Sequence, residues 1–289
     1  MSERLRFAAP TVLEYFASLV AEDASLSVLE AAAAVGQDEY PQLDTQAVLA
    51  QIDALADTLV RRMPDDAAPL HRVRLLNRYF FEELGFAGNV NDFYDPRNSY
   101  LSHVLATRRG IPLTLALLYI ELANQCGLSA AGVSFPGHFL VKLRLARGEV
   151  VIDPFTGESM SREELTERLA PYRRQRGLVG GFDAPLGLFL QAASPRAILA
   201  RLLHNLKEIF RSGDDWPRLL AVQQRLVVLL PDAPEEQRDR GLVQAELGRH
   251  DLAADDISAY LSARPDAADA AVLRRQVLAW RRAGRPRLH

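Results

Sequence analysis

The sequence has very little cysteine: Cys126 is the only one in 289 residues. A single cysteine cannot form an internal disulfide bond, and it excludes zinc sites that need several cysteine ligands. No apolar run reaches the roughly 18 residues that a membrane-spanning helix requires, and the opening segment, MSERLRFAAP, lacks the apolar core of a signal peptide. We therefore expect a cytoplasmic protein with no membrane partner. No pattern indicates a metal ion or a cofactor, so none is expected.

The sequence also lacks an excess of either charge. Its 34 basic and 37 acidic side chains give a formal net charge of −3, so the chain as a whole does not attract nucleic acid. Residues 273–289 are locally basic, and a solvated helix face with a frayed tail explains that pattern. A nucleic-acid-binding regulator is therefore the least favoured function. Hydrophobic residues make up 48% of the chain, which is enough to bury a substantial core.

Four regions are distinguished along the chain. Residues 1–90 carry helical patterns: between residues 43 and 62, apolar side chains recur every three or four positions, as they do on one face of an amphipathic helix. Residues 91–180 begin with a loop rich in Asn, Asp and Pro, and they form the candidate core. Residues 181–195 are predicted to connect this core to a helical region at residues 196–289.

The core contains a segment that is apolar on nearly every side. Pro112 suits the first position of a helix, where its missing N–H is not needed, and Gly127 suits the position just after the last turn. Residues 113–126 between them are almost all apolar, which predicts a helix buried on most sides. We expect it to be the most buried helix in the chain.

Three short strands are predicted after this helix, at residues 131–135, 138–145 and 149–152. The last two are expected to form an antiparallel hairpin that turns at Arg147 and Gly148. A buried helix followed by antiparallel strands is an α+β arrangement. The fold class is therefore predicted to be α+β and mostly helical.

The last region repeats itself at an interval of 34 residues. Under this shift the Pro-Asp-Ala triplet at 231–233 falls on the same triplet at 265–267, and Trp216 falls on His250. Paired helices with this period are typical of tetratricopeptide repeats. We predict one well-formed repeat, one degenerate repeat and a capping helix. Ordinary helical hairpins with a coincidental proline match are the alternative, and in either case each helix pair must stack on a neighbour.

A histidine and an aspartate flank the predicted hairpin. His138 begins the second strand, and Asp153 follows the third. With the turn near Arg147, Asp153 lies opposite about Leu140, and diagonal neighbours in a hairpin are roughly 7–8 Å apart. An aspartate at that distance can orient a histidine and stabilise its protonated form, as acyl transfer requires. His138 and Asp153 are therefore candidate catalytic residues, provided that a nucleophile faces them.

The order of these elements resembles the transglutaminase-like superfamily, in which a cysteine at the start of a buried helix precedes a histidine and an aspartate on the following strands. Within that superfamily, the segments NSYLSHVLATRRGIPLTLALLYIELANQCGL, GHFLVK and IDPF resemble the SirB-type family of bacterial proteins. Those proteins combine a transglutaminase-like (papain-like) core with C-terminal tetratricopeptide repeats. The resemblance covers most of the chain, and it implies the same organisation and a regulatory connection.

The resemblance also indicates where a nucleophile is missing. Counted back from Gly127, the position of the transglutaminase cysteine falls at or next to Pro112, which has no nucleophilic atom. Cys126 lies about 21 Å from that position at 1.5 Å per helical residue. Thr114 has the only hydroxyl group in the first turn, which makes it a third candidate catalytic residue. A helical threonine more often bonds to its own backbone.

Two hypotheses for function follow. In the first, the chain is a non-catalytic transglutaminase-like scaffold whose repeats bind a protein or peptide partner, and His138 and Asp153 form either a structural pair or a retained ligand pocket. In the second, it is a hydrolase or acyl transferase of the transglutaminase or papain-like type that uses this pair with Thr114 or an activated water. The missing cysteine beside a repeat region favours the first hypothesis.

Overall fold

The computed structural model describes residues 9–146, 148–178 and 184–283. Contacts within the chain divide these residues into two compact units that alternate along the sequence. The unit that we call the core unit consists of residues 28–36 and 42–199. The unit that we call the repeat unit consists of residues 9–27, 37–41 and 200–283. The four-region division made from the sequence stays a prediction.

Helices dominate both units, as the α+β, mostly helical prediction requires. The helices are α1 (Val12–Leu19), α2 (Val28–Val35), α3 (Thr45–Val60), α4 (Pro69–Asn77), α5 (Leu101–Thr107), α6 (Pro112–Gln125), α7 (Arg162–Gln175), α8 (Leu186–Phe189), α9 (Pro195–Ser212), α10 (Trp216–Leu229), α11 (Pro234–Glu246), α12 (His250–Ala263) and α13 (Ala270–Ala283). The strands are β1 (Ala87–Gly88), β2 (Arg109–Gly110), β3 (Ser129–Val133), β4 (Leu140–Leu145), β5 (Gly148–Ile152) and β6 (Ser159–Met160). None of the described helices combines the length and apolar character that crossing a membrane requires.

The helix α6 is the centre of the core unit. Ten of its 14 residues are buried, the highest share among the described helices, and it packs against α3, β3 and β4. Pro112 is its first residue, and Gly127 follows it with a φ of +74°, a left-handed conformation that glycine adopts without strain. The apolar segment therefore forms the buried helix that the sequence predicts.

An antiparallel sheet of four strands, in the order β3-β4-β5-β6, packs beside α6. In the hairpin, Leu145 pairs with Gly148 and Val141 pairs with Ile152. Arg147, at the predicted turn, lies outside the described residues. The strand β6 and the parallel pair β1–β2 were not predicted, because strands of two residues are too short to leave a period in the sequence.

Four predicted strand boundaries are wrong by one or two residues. The first strand begins at Ser129 and not at residue 131, and the third begins at Gly148 and not at residue 149. The second strand begins at Leu140 and not at His138, because Pro136 and Gly137 form a turn that keeps the preceding backbone out of the sheet. The first strand ends at Val133 and not at residue 135, because the chain turns directly after Val133.

One face of the sheet is covered by α7 and α8. The buried cluster between them contains Val133, Phe135, Leu140, Val151, Leu165, Leu169 and Leu186. Leu186 lies in the predicted connector, of which residues 181–183 fall outside the described part of the chain. This packing holds α7 close to the end of β5.

The repeat unit reproduces the 34-residue interval in its helices. α10 and α12 begin at Trp216 and His250 and have the same length, and each helix from α10 to α13 packs on the next. Gly241 allows α11 and α12 to approach closely, since a Cβ atom there would lie 3.0 Å from side-chain atoms of Asp256 and Ile257. Helix α1 also belongs to this unit and packs on α10.

A buried arginine fastens α10 to the N-terminal part of the repeat unit. Arg225 is fully buried, and its Nε and Nη2 atoms donate to the two carboxylate oxygens of Asp38 at 2.6 and 2.8 Å. The guanidinium also lies 4.7 Å from the centre of the Phe16 ring of α1, a cation–π distance. Sequence periodicity did not indicate that α1 packs in this unit.

Candidate functional site

A tight turn sets the position of His138 before β4. The backbone N–H of His138 donates to the carbonyl of Phe135 at 3.0 Å, which closes a four-residue turn with Pro136 and Gly137 at its centre. Gly137 has a φ of +70°. Proline at the second position and a glycine of positive φ at the third are the residues that a type II turn prefers. The turn therefore presents His138 at the end of the hairpin.

The pairing of β4 with β5 brings Asp153 next to this histidine. Since Val141 pairs with Ile152, Asp153 comes opposite Leu140, as the sequence predicted. Nε2 of His138 and Oδ1 of Asp153 are 2.8 Å apart, which is hydrogen-bond distance. An ionised carboxylate only accepts hydrogen bonds, so Nε2–H is the donor. The predicted contact is present, whereas its catalytic role stays a prediction.

Asp153 is almost completely buried, at 2% exposure, and both of its carboxylate oxygens are occupied. Oδ1 also accepts from the N–H of Phe155 at 2.9 Å, and Oδ2 accepts from Nη1 of Arg168 at 3.1 Å. Burial alone would raise the pKa of Asp153, but the hydrogen bonds from His138, Phe155 and Arg168 outweigh it and lower that pKa. The carboxylate is therefore ionised at neutral pH.

Arg168 is a site residue that sequence reasoning missed. It lies on α7, whose start is fixed by a capping box in which Ser161 and Glu164 exchange hydrogen bonds. That motif was readable in the sequence and would have predicted α7. The motif could not predict that Arg168 is a partner of Asp153, because this contact joins α7 to a loop that lies 15 residues earlier in the chain.

The loop after Asp153 is held by close packing against β1. The N–H of Gly88 donates to the carbonyl of Phe155 at 3.0 Å, and a Cβ atom on Gly88 would lie 2.2 Å from the Phe155 ring. Only glycine fits such an approach without a shift of the ring. Beyond Asp153 a polar cleft of about 200 Å³ is lined by Asp153, Thr156, Glu158, Ser159, Met160, Glu164, Glu167 and Arg168.

The first turn of α6 has Thr114 as its only hydroxyl side chain. Pro112 is its first residue. Thr114 is completely buried, and its hydroxyl donates to the carbonyl of Asn98 at 2.8 Å, with the carbonyl of Ile111 at 3.1 Å. The structure therefore gives Thr114 the backbone-bonded role that is common for helical threonines.

Cys126 lies at the opposite end of α6, directly after its last residue. It is buried, and this burial raises the pKa of its thiol to about 11, although nearby Arg72 acts in the opposite direction. Nucleophilic cysteines need a lowered thiol pKa. Within the residues that the structure describes, no three His, Cys, Asp or Glu side chains gather in a way that would hold a metal ion.

Models of two known protein families match segments of this chain. A family model described as the transglutaminase-like superfamily matches residues 46–204, and a model described as a tetratricopeptide repeat matches residues 206–277. No solved structure matches the chain.

Several bacterial relatives match over most of the chain. A UPF0162 protein of Xylella fastidiosa is 37% identical over 248 residues, which cover 84% of this chain and 86% of the relative. A UPF0162 protein of Vibrio cholerae is 32% identical over 206 residues, 69% of this chain and 72% of the relative. Protein SirB1 of Salmonella typhimurium is 24% identical over 237 residues, 81% of this chain and 85% of the relative.

Proposed function

This chain belongs to the transglutaminase-like superfamily and, within it, to the UPF0162 family, and from this premise we propose that it is a non-catalytic member that acts as a protein-binding or regulatory scaffold in the cytoplasm. The observation that supports the proposal is the start of α6, where the superfamily resemblance implies a cysteine and this chain has Pro112. Proline has neither a nucleophilic atom nor an N–H that could stabilise an oxyanion.

The chemistry of the remaining candidates also favours a scaffold. Cys126 is buried at the far end of α6 with a raised thiol pKa, and the hydroxyl of Thr114 is already donated to a backbone carbonyl. The pair of His138 and Asp153 then has a structural task. It ties the Pro136–Gly137 turn to the end of β5, while Arg168 ties the same carboxylate to α7.

The repeat unit supplies the surface for a partner. Tetratricopeptide repeats generally bind proteins, because stacked helix pairs form an extended surface. The second family model covers residues 206–277, which include α10 to α12 in full. We propose that a protein or peptide partner binds there, and that the core unit gives the scaffold a fixed framework.

One observation favours the alternative, a hydrolase or acyl transferase. His138 and Asp153 have the geometry of a base and its orienting carboxylate, and Nδ1 of the histidine has no hydrogen-bond partner among the described residues. Such an enzyme would need Thr114 or a water molecule that His138 activates as its nucleophile.

A transamidation and hydrolysis assay tests the proposal. The full chain is incubated with a glutamine-rich protein and a fluorescent primary amine, and both labelling and ammonia release are measured. We expect no turnover from the parent chain, from His138→Ala or from Thr114→Ala. Turnover that disappears in both variants, while circular dichroism shows both to be folded, would overturn the scaffold proposal and establish the enzyme.

A further inference from the structure

Arg108, the residue that directly follows α5 in the core unit, has an unfavourable backbone conformation. Its φ is +60° and its ψ is +21°, in the left-handed region where the Cβ atom of any residue other than glycine is crowded. Its carbonyl accepts from the N–H of Ala87 at 3.0 Å, which fixes this conformation. Residues held in such conformations cluster at binding and active sites, which makes Arg108 a candidate binding residue.

The guanidinium of Arg108 is held on a buried aromatic ring. Its central carbon lies 4.6 Å from the centre of the Phe86 ring, a cation–π distance. Phe86 stacks in turn on Phe80, with ring centres 4.5 Å apart, and both rings are buried. The rings restrict the positions that the guanidinium can take, so its N–H groups point in a defined direction.

Other arginines of this chain combine such a ring contact with a carboxylate partner. Four of the described arginines do so: Arg62, Arg218, Arg225 and Arg238. The best parallel is Arg225, which lies 4.7 Å from the Phe16 ring and donates through Nε and Nη2 to both carboxylate oxygens of Asp38. This pairing uses one edge of the guanidinium and both oxygens of the carboxylate.

Arg108 has the ring of this arrangement without the carboxylate. Its Nη1 is buried and has no hydrogen-bond partner within the described part of the chain, whereas Nε and Nη2 are not buried in this way. The open edge is therefore the one that Arg225 uses for Asp38. Apart from burial, which lowers it, only Tyr79 affects the pKa of Arg108, so no carboxylate is near enough to offset this cation.

Arg109 brings a second cation to the same place. Its Nη1 donates to the carbonyl of Gly85 at 2.6 Å and to the carbonyl of Arg108 at 2.9 Å. These bonds hold its guanidinium beside the residue that precedes Phe86. Arg109 is exposed and forms no ion pair with the residues that the structure describes. Two adjacent cations are therefore available to one anionic group.

The acidic residues of the neighbouring segment, Glu82 and Glu83, do not neutralise these cations. Glu83 already pairs with Arg62 at 2.7 Å and with Arg78 at 3.4 Å. Glu82 is exposed, and its carboxylate forms no ion pair with a described residue. The local balance is thus four arginines to two carboxylates, although the whole chain has a net charge of −3. An anionic group of a partner would meet complementary charge here.

We propose that Arg108 and Arg109 bind the carboxylate of an aspartate or glutamate side chain that a protein partner presents. The two carboxylate oxygens accept from Nε and Nη2 of Arg108, as those of Asp38 do from Arg225, and Arg109 adds positive charge beside them. This contact lies on the core unit. It therefore goes beyond the proposed function, which places the partner on the repeat unit.

A titration followed by NMR tests the site in the full, ¹⁵N-labelled chain. The reporters are the backbone N–H signals of Phe86 and Ala87, since the N–H of Ala87 donates to the carbonyl of Arg108. The probes are Ac-Gly-Asp-Gly-amide, Ac-Gly-Asn-Gly-amide and inorganic phosphate, at pH 7 and one low ionic strength. We expect a saturable shift with the aspartate peptide, half-complete at a concentration on the order of 10 mM, and none with the asparagine peptide.

Variants that each remove one positive charge from the core unit separate this site from general electrostatics. Arg108→Gln should abolish the saturable shift. Arg74→Gln is the matched control, because Arg74 is exposed on α4 and has no ring contact or ion pair within the described part of the chain, so binding should be unchanged. Arg109→Gln should weaken binding about twofold to threefold. Equal losses in Arg108→Gln and Arg74→Gln would overturn the site.

A charge-conserving variant covers the case in which Arg108→Gln does not fold. Arg108→Lys keeps the cation and loses the planar pair of donors, so it should bind the aspartate peptide about threefold to tenfold more weakly. Binding equal to that of the parent chain would overturn the proposed side-on pairing. Circular dichroism checks that each variant is folded.

The remaining outcomes separate this inference from the scaffold proposal. Equal shifts with the aspartate and asparagine peptides, or no saturable shift up to about 50 mM, would overturn the carboxylate site and leave partner binding by the repeats intact. Binding of inorganic phosphate about tenfold tighter than that of the aspartate peptide would also overturn it, because the preferred ligand would then be a phosphate. The scaffold proposal depends separately on the turnover assay.

Discussion

The two units bury polar side chains of different kinds. Among the described residues of the core unit, the buried polar side chains are those of Thr45, Asn98, Ser99, Thr114 and Asp153, all short and only one of them charged. Among the described residues of the repeat unit they are those of Lys207, Gln223, Arg225, Glu236, Gln244 and Asp256, which are longer on average, and four of them are charged. The core unit is therefore built around an apolar helix, whereas the repeat unit has buried ion pairs between its helices in addition to its apolar contacts.

This difference has an energetic meaning. Burial of apolar side chains, as on α6, is favourable by itself. A buried ion pair adds little net stability, because removing two charges from water offsets their attraction, yet removal of one partner is strongly destabilising. The repeat unit should therefore respond most to changes of charge, and the core unit most to changes of volume.

The largest effect is expected for Arg225→Ala. The substitution leaves Asp38 without its bidentate partner and removes a fully buried side chain from the Phe16 ring. We expect a loss of about 3–5 kcal/mol in the free energy of unfolding, measured by urea denaturation. The control is Arg211→Ala, an exposed arginine paired with Glu208, which should change stability by less than about 1 kcal/mol. Equal losses in the two variants would contradict the comparison.

Stability should also depend on the charge of Glu236. Burial alone would raise the pKa of Glu236, but hydrogen bonds from His204, Lys207 and Gln223 lower it from 4.5 to about 2. Because the folded-state pKa is depressed, this contribution is fully present above about pH 4.5 and is lost as the pH falls toward 2. Its size is on the order of 3 kcal/mol.

The measurement compares the parent chain with Glu236→Gln in urea at several pH values. The variant should be less stable at pH 7, and the difference between the two proteins should shrink as the pH falls from 4.5 toward 2. The difference is the informative quantity, since the lowered pKa of Asp153 affects both proteins equally. A difference that stays constant across this range would show that Glu236 contributes through its shape and not its charge.

In the core unit, Gly88→Ala tests sensitivity to volume. The new Cβ atom would lie 2.2 Å from the Phe155 ring and would push away the loop whose N–H donates to Asp153. We expect a loss of about 1–3 kcal/mol, typical of overpacking. Gly187→Ala is the matched control, because nothing lies within 4 Å of a Cβ atom there. If both variants keep the stability of the parent chain, the tight contact with β1 does not hold the site loop.

The smallest effect is expected for Cys126→Ala. The thiol is buried and has a pKa raised to about 11, so it is almost entirely protonated at neutral pH. We expect a packing loss of about 1 kcal/mol and no change in peptide binding. Alkylation of the parent chain by iodoacetamide at pH 7.5 should be slow for the same reason. Rapid alkylation, or altered binding in the variant, would contradict the structural role of this cysteine.

Local signals in the sequence were sufficient for much of the core. Pro112, Gly127 and the almost entirely apolar residues between them predicted α6, because the start and stop of a helix depend on adjacent residues. The pairing of β4 with β5 followed from the turn predicted at Arg147 and Gly148, and that turn placed Asp153 opposite Leu140. The start of β4 was misplaced because the Pro136–Gly137 turn was not weighed against the apolar alternation.

Contacts between distant segments could not be predicted in this way. Arg168 reaches Asp153 from a separate helix, and Asp38 and Arg225 are 187 positions apart in the sequence. Periodicity shows which face of a helix is apolar, but it does not show which helix covers that face. The same reason explains why α1 was assigned to an N-terminal region and its packing on α10 was not foreseen.

The contact between Asp38 and Arg225 has a consequence for biosynthesis. Ribosomes release the N-terminal helix α1 first, but the helix that it packs against is completed roughly two hundred residues later. At a translation rate of about 5–20 residues per second, α10 is completed about 10–40 seconds after the Phe16 side of α1. The core unit is translated during this interval. Until the C-terminal third emerges, the nascent chain lacks the helix on which α1 packs, and a chain that terminates before Arg225 never acquires the partner of Asp38.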